Sequence, residues 1–238
     1  MLKEFAQYLQ SLKDNKIYTI NGETYSDHDL VRIKPHVDHP GCLRVTGLDS
    51  IVKLIRNELE MLEALPVYIR VDGAEAVSVF TSYDAYMDRD SLYSATCDVP
   101  GFREGFREPE QAIIELRSKF APDEGVNYLL DLLSRINKEN GVTTRDNGVS
   151  QEVEARSGIA LKEMVQVKPR VKLCPYRTFL EVNQPESEFI LRLDEYGNVG
   201  LFEADGGMWK MEAKRRISAY FEENLAAEIE AGKVVVMM

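Results

Sequence analysis

Residues 66–82 read PVYIRVDGAEAVSVFTS, and apolar side chains alternate with polar ones on both sides of Asp72-Gly73. Alternation with a period of two is typical of strands that bury one face. Asp-Gly between two such runs is a strong signal for a two-residue hairpin turn. The stretch therefore predicts two antiparallel strands, and SLYSATCDV, residues 91–99, predicts a third strand of the same meander.

Helices are predicted on both sides of this meander along the chain. Residues 46–62 carry apolar side chains at three- and four-residue intervals until Pro66 ends the pattern. Because these apolar residues form one stripe, we expect this helix to cover the apolar face of the sheet. Further helices are predicted from Pro109 to Phe120, from Gly125 onward and after Gly206-Gly207.

A second set of strands is predicted over residues 151–204, in the segments QEVEARSG, LKEMVQVK, RTFLEV, EFILRL and VGLFEA. The last two form a hairpin around Tyr196-Gly197-Asn198, and VVVMM at the end of the sequence predicts a terminal strand. This order of elements predicts an α+β fold with mostly antiparallel sheets, helices packed on one face and an N-terminal helical extension.

The extension is predicted over residues 1–45, as an amphipathic helix over residues 2–13 followed by short strands. Residues 46–238 then form one α+β domain. A possible subdivision lies near residue 140, where the polar stretch VTTRDNGVSQ, residues 142–151, predicts a mobile loop or a partner-facing edge.

The charge of the chain restricts its partners. Twenty-nine Lys and Arg residues against 40 Asp and Glu residues give a net charge of -11, which repels nucleic-acid phosphates and anionic lipids. Cys42, Cys97 and Cys174 lack paired spacing, which fits a reducing compartment. No apolar run approaches the roughly 20 residues that cross a bilayer. We expect a cytoplasmic protein that binds neither nucleic acid nor membrane.

Catalytic and metal-binding motifs are scarce. The sequence contains no phosphate-binding loop ending in Lys-Ser or Lys-Thr, no Gly-x-Ser-x-Gly and no His-Glu-x-x-His. His28, His36, His39 and Cys42 fall within fifteen residues and are candidate zinc ligands, although the spacing is not that of a zinc finger and Pro35 and Pro40 indicate an irregular loop. Surface histidines are the simpler interpretation, and no cofactor is expected.

Glu203 and Asp205 are candidate acidic residues near the end of the last predicted hairpin. With Lys210 close by, they could hold a magnesium ion as in a metal-dependent nuclease, but their order does not match the common nuclease pattern. The alternative is structural. Asp205 caps the following helix, Gly206-Gly207 permits the turn, and Trp209 packs the helix against the sheet.

Residues 174–193, CPYRTFLEVNQPESEFILRL, place polar side chains among predicted strands. These side chains are Arg177, Glu181, Gln184 and Arg192. Polar residues in such positions usually pair with one another at a sheet surface or a subunit contact, and a ligand pocket is the alternative.

Three long blocks carry a resemblance to a known family. DNGVSQEVEARSGI, PYRTFLEVNQPESEFILRL and LFEADGGMWKMEA, followed by a final helix, resemble the YfdQ-like family, a domain of unknown function found in bacteriophages and prophages. The resemblance is strongest over residues 146–225. It implies a phage-encoded protein that acts in the host cytoplasm, and it implies no activity, cofactor or catalytic residue.

The leading functional hypothesis is a non-catalytic phage accessory protein that forms a homo-oligomer or binds a phage or host protein. The first helix or the terminal strand would make the contact, because each leaves apolar or edge surface unfilled in a monomer. One alternative is a metal-dependent nucleic-acid or nucleotide hydrolase that uses Glu203 and Asp205. Another is an acidic decoy that inhibits a host DNA-processing or defence protein.

Overall fold

The computed structural model describes residues 41–62, 65–84, 87–135, 144–146, 151–157 and 161–238, together with residues 3–5, 8, 16–21 and 23–26. For residues 23–24, 144–146, 153–157 and 161–165 only the backbone is described. Contacts group the chain into two compact units, Met1–His39 and Pro40–Met238. The predicted division after residue 45 and the possible subdivision near residue 140 stay predictions.

The first unit contains an antiparallel pair of strands. β1 (Ile17–Ile20, IYTI) pairs with β2 (Glu23–Ser26), which confirms a short strand in the predicted N-terminal extension. Residues 3–5 and 8 are helical, within the segment where a helix was predicted.

The second unit contains five helices in its described part: α1 (Leu48–Glu58), α2 (Pro109–Lys119), α3 (Glu124–Arg135), α4 (Trp209–Asn224) and α5 (Ala226–Glu230). A short 3-10 helix, Leu59–Met61, continues α1. None of the helices in the described residues has the length and apolar character needed to span a bilayer.

A five-stranded sheet forms the first core of this unit. Its strands are β3 (Leu43–Val45), β4 (Val67–Val71), β5 (Ala76–Thr81), β6 (Ser91–Thr96) and β14 (Val234–Met237), in the order β14-β4-β5-β6-β3. The central meander β4-β5-β6 is antiparallel as predicted, whereas β14 and β3 run parallel to their neighbours. Ile51 and Ile55 of α1 and Phe221 of α4 pack on its buried face, which confirms α1 as the cover of the meander.

A four-stranded antiparallel sheet forms the second core. Its strands are β7 (Gly105–Arg107), β11 (Arg170–Leu173), β12 (Ser187–Leu193) and β13 (Val199–Glu203), in the order β11-β12-β13-β7. Leu116 of α2 and Leu129 of α3 pack with Phe189 and Leu191 of β12. Helices and mostly antiparallel sheets together confirm the predicted α+β class.

A three-stranded sheet joins β8 (Thr144–Asp146), β9 (Gln151–Ser157) and β10 (Leu161–Val167) in the order β10-β9-β8. The strands at QEVEARSG and LKEMVQVK are confirmed. Within the stretch 142–151, predicted as a mobile loop or a partner-facing edge, residues 144–146 form β8, which pairs with β9 at the edge of this sheet.

The hairpin at Asp72-Gly73 has a longer connection than predicted. Strand pairing ends at Val71 and Val77, and the amides of Asp72 and Gly73 both donate to the carbonyl of Ala76. The longer connection lets Ala74 pack against α4, where it is buried and its carbonyl accepts a hydrogen bond from the hydroxyl of Thr178. A two-residue turn leaves no residue to make this contact.

Candidate functional site

The connection between β11 and β12 is an irregular loop organised by the side chain of Gln184. Its amide oxygen accepts from the backbone N–H groups of Arg177 and Thr178 at 3.0 and 3.2 Å. Its amide nitrogen donates to the carbonyls of Phe179 at 3.1 Å and of Thr178 and Val182 at 3.4 Å. The prediction of a strand at RTFLEV is therefore wrong, because one side chain supplies the partners that a neighbouring strand would otherwise provide.

This loop buries Arg177, whose side chain is only 6% exposed. Nη1 lies 2.6 Å from Oε1 of Glu203, and Nη2 donates to the hydroxyl of Ser187 and to the carbonyl of Pro185. The guanidinium carbon lies 3.9 Å from the centroid of the Trp209 ring. Burial lowers the pKa of Arg177, whereas the negative charges of Glu203 and Asp205 act to raise it.

Asp205 accepts hydrogen bonds from both sides of the turn that begins α4. Its carboxylate receives the hydroxyl of Ser187 at 2.5 Å and the backbone N–H groups of Gly207 and Trp209 at 3.0 and 3.3 Å. Burial acts to raise its pKa, but these hydrogen bonds and the charge of Arg177 hold the pKa below the ordinary value. Gly206 and Gly207 both have positive φ, which confirms the predicted turn. The N-cap residue of α4 is Met208 and not Asp205, although Asp205 accepts the N–H of Trp209, the first residue of the helix.

Trp209 completes a group that we call the Arg177 cluster: Arg177, Ser187, Glu203, Asp205 and Trp209. The indole N–H donates to Oε2 of Glu203 at 3.3 Å, and the ring packs with Ala74 and Ala213. Glu203 ends a strand of the four-stranded sheet, whereas Ala74 belongs to the five-stranded sheet's hairpin. The cluster therefore joins the two cores of the second unit.

Glu181 and Arg192 lie apart from the Arg177 cluster. Oε1 of Glu181 accepts from the backbone N–H of Asp49 at 3.4 Å, at the first turn of α1. In β12 the buried positions are Ser187, Phe189, Leu191 and Leu193, so the half-buried Arg192 belongs to the opposite face. Of the predicted site residues, Arg177, Gln184, Glu203, Asp205 and Trp209 come together.

Arg216 of α4 is a member of this neighbourhood that the sequence analysis missed. Its Nη1 donates to the carbonyls of Asn183 at 3.1 Å and Gln184 at 2.9 Å, while its Nε contacts Glu212 within the same helix. Nothing in the sequence distinguished it from the other basic residues of the helix. It ties the Gln184 loop to α4.

The candidate zinc ligands fall mostly outside the described residues. This holds for His28, His36 and His39, so the zinc hypothesis stays a prediction. Cys42 is exposed, with its Sγ 3.6 Å from the hydroxyl of Ser94. Across the residues that the structure describes, no three His, Cys, Asp or Glu side chains are grouped to hold a metal ion.

A cavity of about 290 Å³ opens beside the Arg177 cluster. Six of the residues that line it are Glu75, Cys97, Phe102, Arg177, Glu203 and Trp209. The backbone N–H of Cys97 donates to the carbonyl of Glu75 at 2.9 Å and fixes the two together. Glu75, Cys97 and Phe102 were not predicted, because they reach the cluster only when the two cores pack.

We predict that Gln184→Leu lowers the free energy of unfolding by about 2 kcal/mol, because two buried amides lose their acceptor and three carbonyls lose their donor. Urea denaturation followed by circular dichroism measures the change. Asn183→Ala is the matched control, since Asn183 contributes its backbone carbonyl to Arg216 and has an exposed side chain. Its unfolding free energy should stay within about 0.5 kcal/mol of the parent. Equal values for the two variants would contradict the role assigned to Gln184.

The Arg177 cluster and its cavity are thus defined by the contacts of this chain alone. Among protein-family models, curated proteins and solved structures, none matches the chain.

Proposed function

We propose that the chain is a non-catalytic accessory protein that self-associates through the edge of its five-stranded sheet. The sequence blocks that resemble the YfdQ-like family support a phage or prophage origin and action in the host cytoplasm. The observation that carries the proposal is the position of β14, which is an edge strand with the sequence VVVM.

The edge at β14 lacks the features that usually prevent strands from pairing between molecules. Its four residues include no charged residue and no proline, and in the described part of the chain β14 pairs only with β4. An unprotected edge of this kind presents a row of backbone donors and acceptors to another chain. A second copy that pairs β14 with β14 across a two-fold axis satisfies both edges at once.

Apolar side chains accompany this edge. Val235 is 37% exposed and Met238 is 54% exposed. Met61 is also exposed, and its neighbour Glu60 forms an ion pair with Lys233, the residue before β14. Burying such side chains in a dimer contributes roughly 25 cal/mol per Å² of apolar surface. The edge therefore offers both backbone pairing and apolar contact to a second copy.

The acidic residues of the Arg177 cluster are occupied by contacts within the chain, which favours a non-catalytic role over metal-dependent hydrolysis. Each carboxylate oxygen of Glu203 and Asp205 accepts at least one hydrogen bond from the same chain. A metal ion would have to displace the guanidinium of Arg177 and the amides that begin α4. Such a displacement leaves Arg177 buried without its partner, which is costly.

We predict that the full chain is a dimer in light scattering and that Val235→Lys shifts it to a monomer, because like charges then meet across the two-fold axis. The dissociation constant should rise at least about tenfold. Leu43→Lys is the matched control, since Leu43 is exposed on β3 at the opposite edge of the same sheet. This variant should remain dimeric.

Two results would contradict the proposal. One is a dimer that survives Val235→Lys, or a chain that stays monomeric at high concentration. The other is magnesium- or manganese-dependent cleavage of nucleic acid that is lost in the Glu203→Ala and Asp205→Ala variants, provided that circular dichroism shows both variants to be folded.

A further inference from the structure

The five-stranded sheet has a buried face and a more exposed outer face. Ile51 of α1 and Phe221 of α4 pack on the buried face. Along β4 and β5 every second side chain is buried, so the side chains between them belong to the outer face. The strand pairing places these residues on the outer face together: Arg44, Tyr68, Arg70, Ser78, Phe80 and Ser94. This surface is distinct from the Arg177 cluster.

The charge of the outer face differs from that of the whole chain. The five strands contain no Asp or Glu, and their only charged residues are Arg44 and Arg70. Arg70 pairs with Asp72 just beyond β4, whereas Arg44 has no ion-pair partner in the described part of the chain. At physiological salt, charges more than about 8 Å away are largely screened. The net charge of -11 therefore does not determine what this face binds.

A row of polar side chains crosses the outer face between the two arginines. Arg70 pairs with Ser78, and Arg44 pairs with Ser94. Ser78 and Ser94 are opposite each other in β5 and β6, and the Ser78 hydroxyl has no hydrogen-bond partner among the described residues. Neighbouring strands are about 4.8 Å apart, so the two arginines lie roughly 14 Å apart with only small side chains between them. Such a row, with a cation at each end, fits an extended polyanion.

Aromatic rings lie beside this row. Tyr68 and Phe80 stack across β4 and β5, with their ring centroids 5.6 Å apart. The guanidinium carbon of Arg89, in the connection between β5 and β6, lies 5.4 and 5.3 Å from these centroids and 4.0 Å from the centroid of Tyr83. Tyr83 is 54% exposed, and Arg89 is exposed as well. The rings therefore hold the guanidinium in place at the surface.

Arg89 has hydrogen-bond donors that the described part of the chain does not use. No carboxylate in that part forms an ion pair with it, although Asp88 and Asp90 are its neighbours in sequence and make other contacts within the chain. Asp84 closes the connection by accepting the N–H of Asp88 at 2.9 Å. A guanidinium that is oriented by aromatic rings and lacks an acceptor is suited to bind an oxyanion such as a phosphate.

We propose that the outer face binds single-stranded nucleic acid. Bases stack on the exposed ring of Tyr83 and on the guanidinium of Arg89, and phosphates contact Arg44 and Arg70. Aromatic rings beside basic side chains are the combination that binds unpaired bases together with their backbone. A duplex keeps its bases stacked inside, and an acidic protein segment would contact the arginines without using the rings. This inference is independent of self-association through β14.

Fluorescence anisotropy of a labelled oligothymidine, titrated with the full chain, tests the proposal. The same strand annealed to its complement and a labelled polyglutamate are the comparison ligands. We expect the single strand to bind more tightly than the duplex and polyglutamate not to bind. Three arginines predict a slope of about -2 when the logarithm of the association constant is plotted against that of the salt concentration. A duplex or a polyglutamate that binds as tightly as the single strand would overturn the proposal, as would absence of binding at low salt.

Tyr83→Ala should weaken the binding of oligothymidine about tenfold, the size expected for the loss of one base-stacking contact. Tyr83→Phe keeps the ring and should bind as the parent does. Tyr196→Ala is the matched control, because Tyr196 is 71% exposed in the connection between β12 and β13 of the other sheet. This control should leave the affinity unchanged. Equal affinities of Tyr83→Ala and Tyr196→Ala would show that the ring does not stack on a base and would overturn the proposal.

Arg89→Ala should weaken binding and make the salt slope shallower by about 0.7, because one phosphate contact is lost. Arg170→Ala is the control for charge, since it removes a cation from β11 of the other sheet and should change neither quantity. Equal effects of the two substitutions would mean that only net charge matters, against the proposal. Light scattering should give the same oligomer for Arg89→Ala as for the parent, so failure of this proposal is distinguishable from failure of self-association.

Discussion

Arg177→Ala is expected to lower the free energy of unfolding by about 3 kcal/mol. Removing one partner of a buried ion pair typically costs about 3–5 kcal/mol, because the remaining charge stays buried without compensation. The lower end applies here, since Glu203 is 27% exposed and water can partly solvate its carboxylate. The hydroxyl of Ser187 and the face of Trp209 also lose their contact with the guanidinium. Urea denaturation of the full chain measures the change.

Two controls separate the buried contact from charge alone. Arg177→Lys keeps the positive charge but cannot reach Glu203, Ser187 and Pro185 together, so its loss should be intermediate. Arg170→Ala removes an ion pair with Glu188 whose side chains are 57% and 39% exposed, and the loss should stay below about 1 kcal/mol. If Arg177→Ala and Arg170→Ala lose equal amounts, the Arg177 cluster does not hold the two cores together.

The parts of the fold that the sequence predicted correctly are set by local physics. The run Asp205-Gly206-Gly207 predicted a turn, because residues that adopt positive φ and an acidic acceptor for the turn's N–H groups are both local requirements. The hairpin of β12 and β13 and the helix α1 likewise follow from the periodicity of their own residues. Each of these elements is specified within about twenty residues.

The Gln184 loop was mispredicted because its pattern resembles that of a strand. Phe179 and Val182 are apolar and flanked by polar residues, as in a half-buried strand. The side chain of Gln184 nevertheless satisfies the backbone that a sheet would otherwise pair. Periodicity cannot distinguish these two outcomes, because it measures where side chains are buried and not where backbone hydrogen bonds are made.

The cavity depends on contacts that no local pattern reveals. Thr178 donates to the carbonyl of Ala74 across 104 residues of sequence, and this contact brings the first hairpin to the Arg177 cluster. Glu75 and Cys97 arrive at the cavity with that hairpin. Sequence analysis identified Arg177, Glu203 and Trp209 as unusual, but their shared space with Glu75 required the packing of the two sheets.

Gly125→Ala is expected to lower the free energy of unfolding by about 2–3 kcal/mol. A Cβ at this position would lie 2.0 Å from the backbone carbonyl oxygen of Lys172, so α3 would have to move away from β11. Alanine favours a helix over glycine by up to about 1 kcal/mol, and the clash must exceed this gain for the variant to be destabilised. Gly73→Ala is the matched control, because a Cβ there meets nothing within 4 Å and its φ is not left-handed. In urea denaturation, the unfolding free energy of this control should stay within about 0.5 kcal/mol of the parent. If Gly125→Ala is as stable as the parent or more stable, α3 does not contact the backbone of β11.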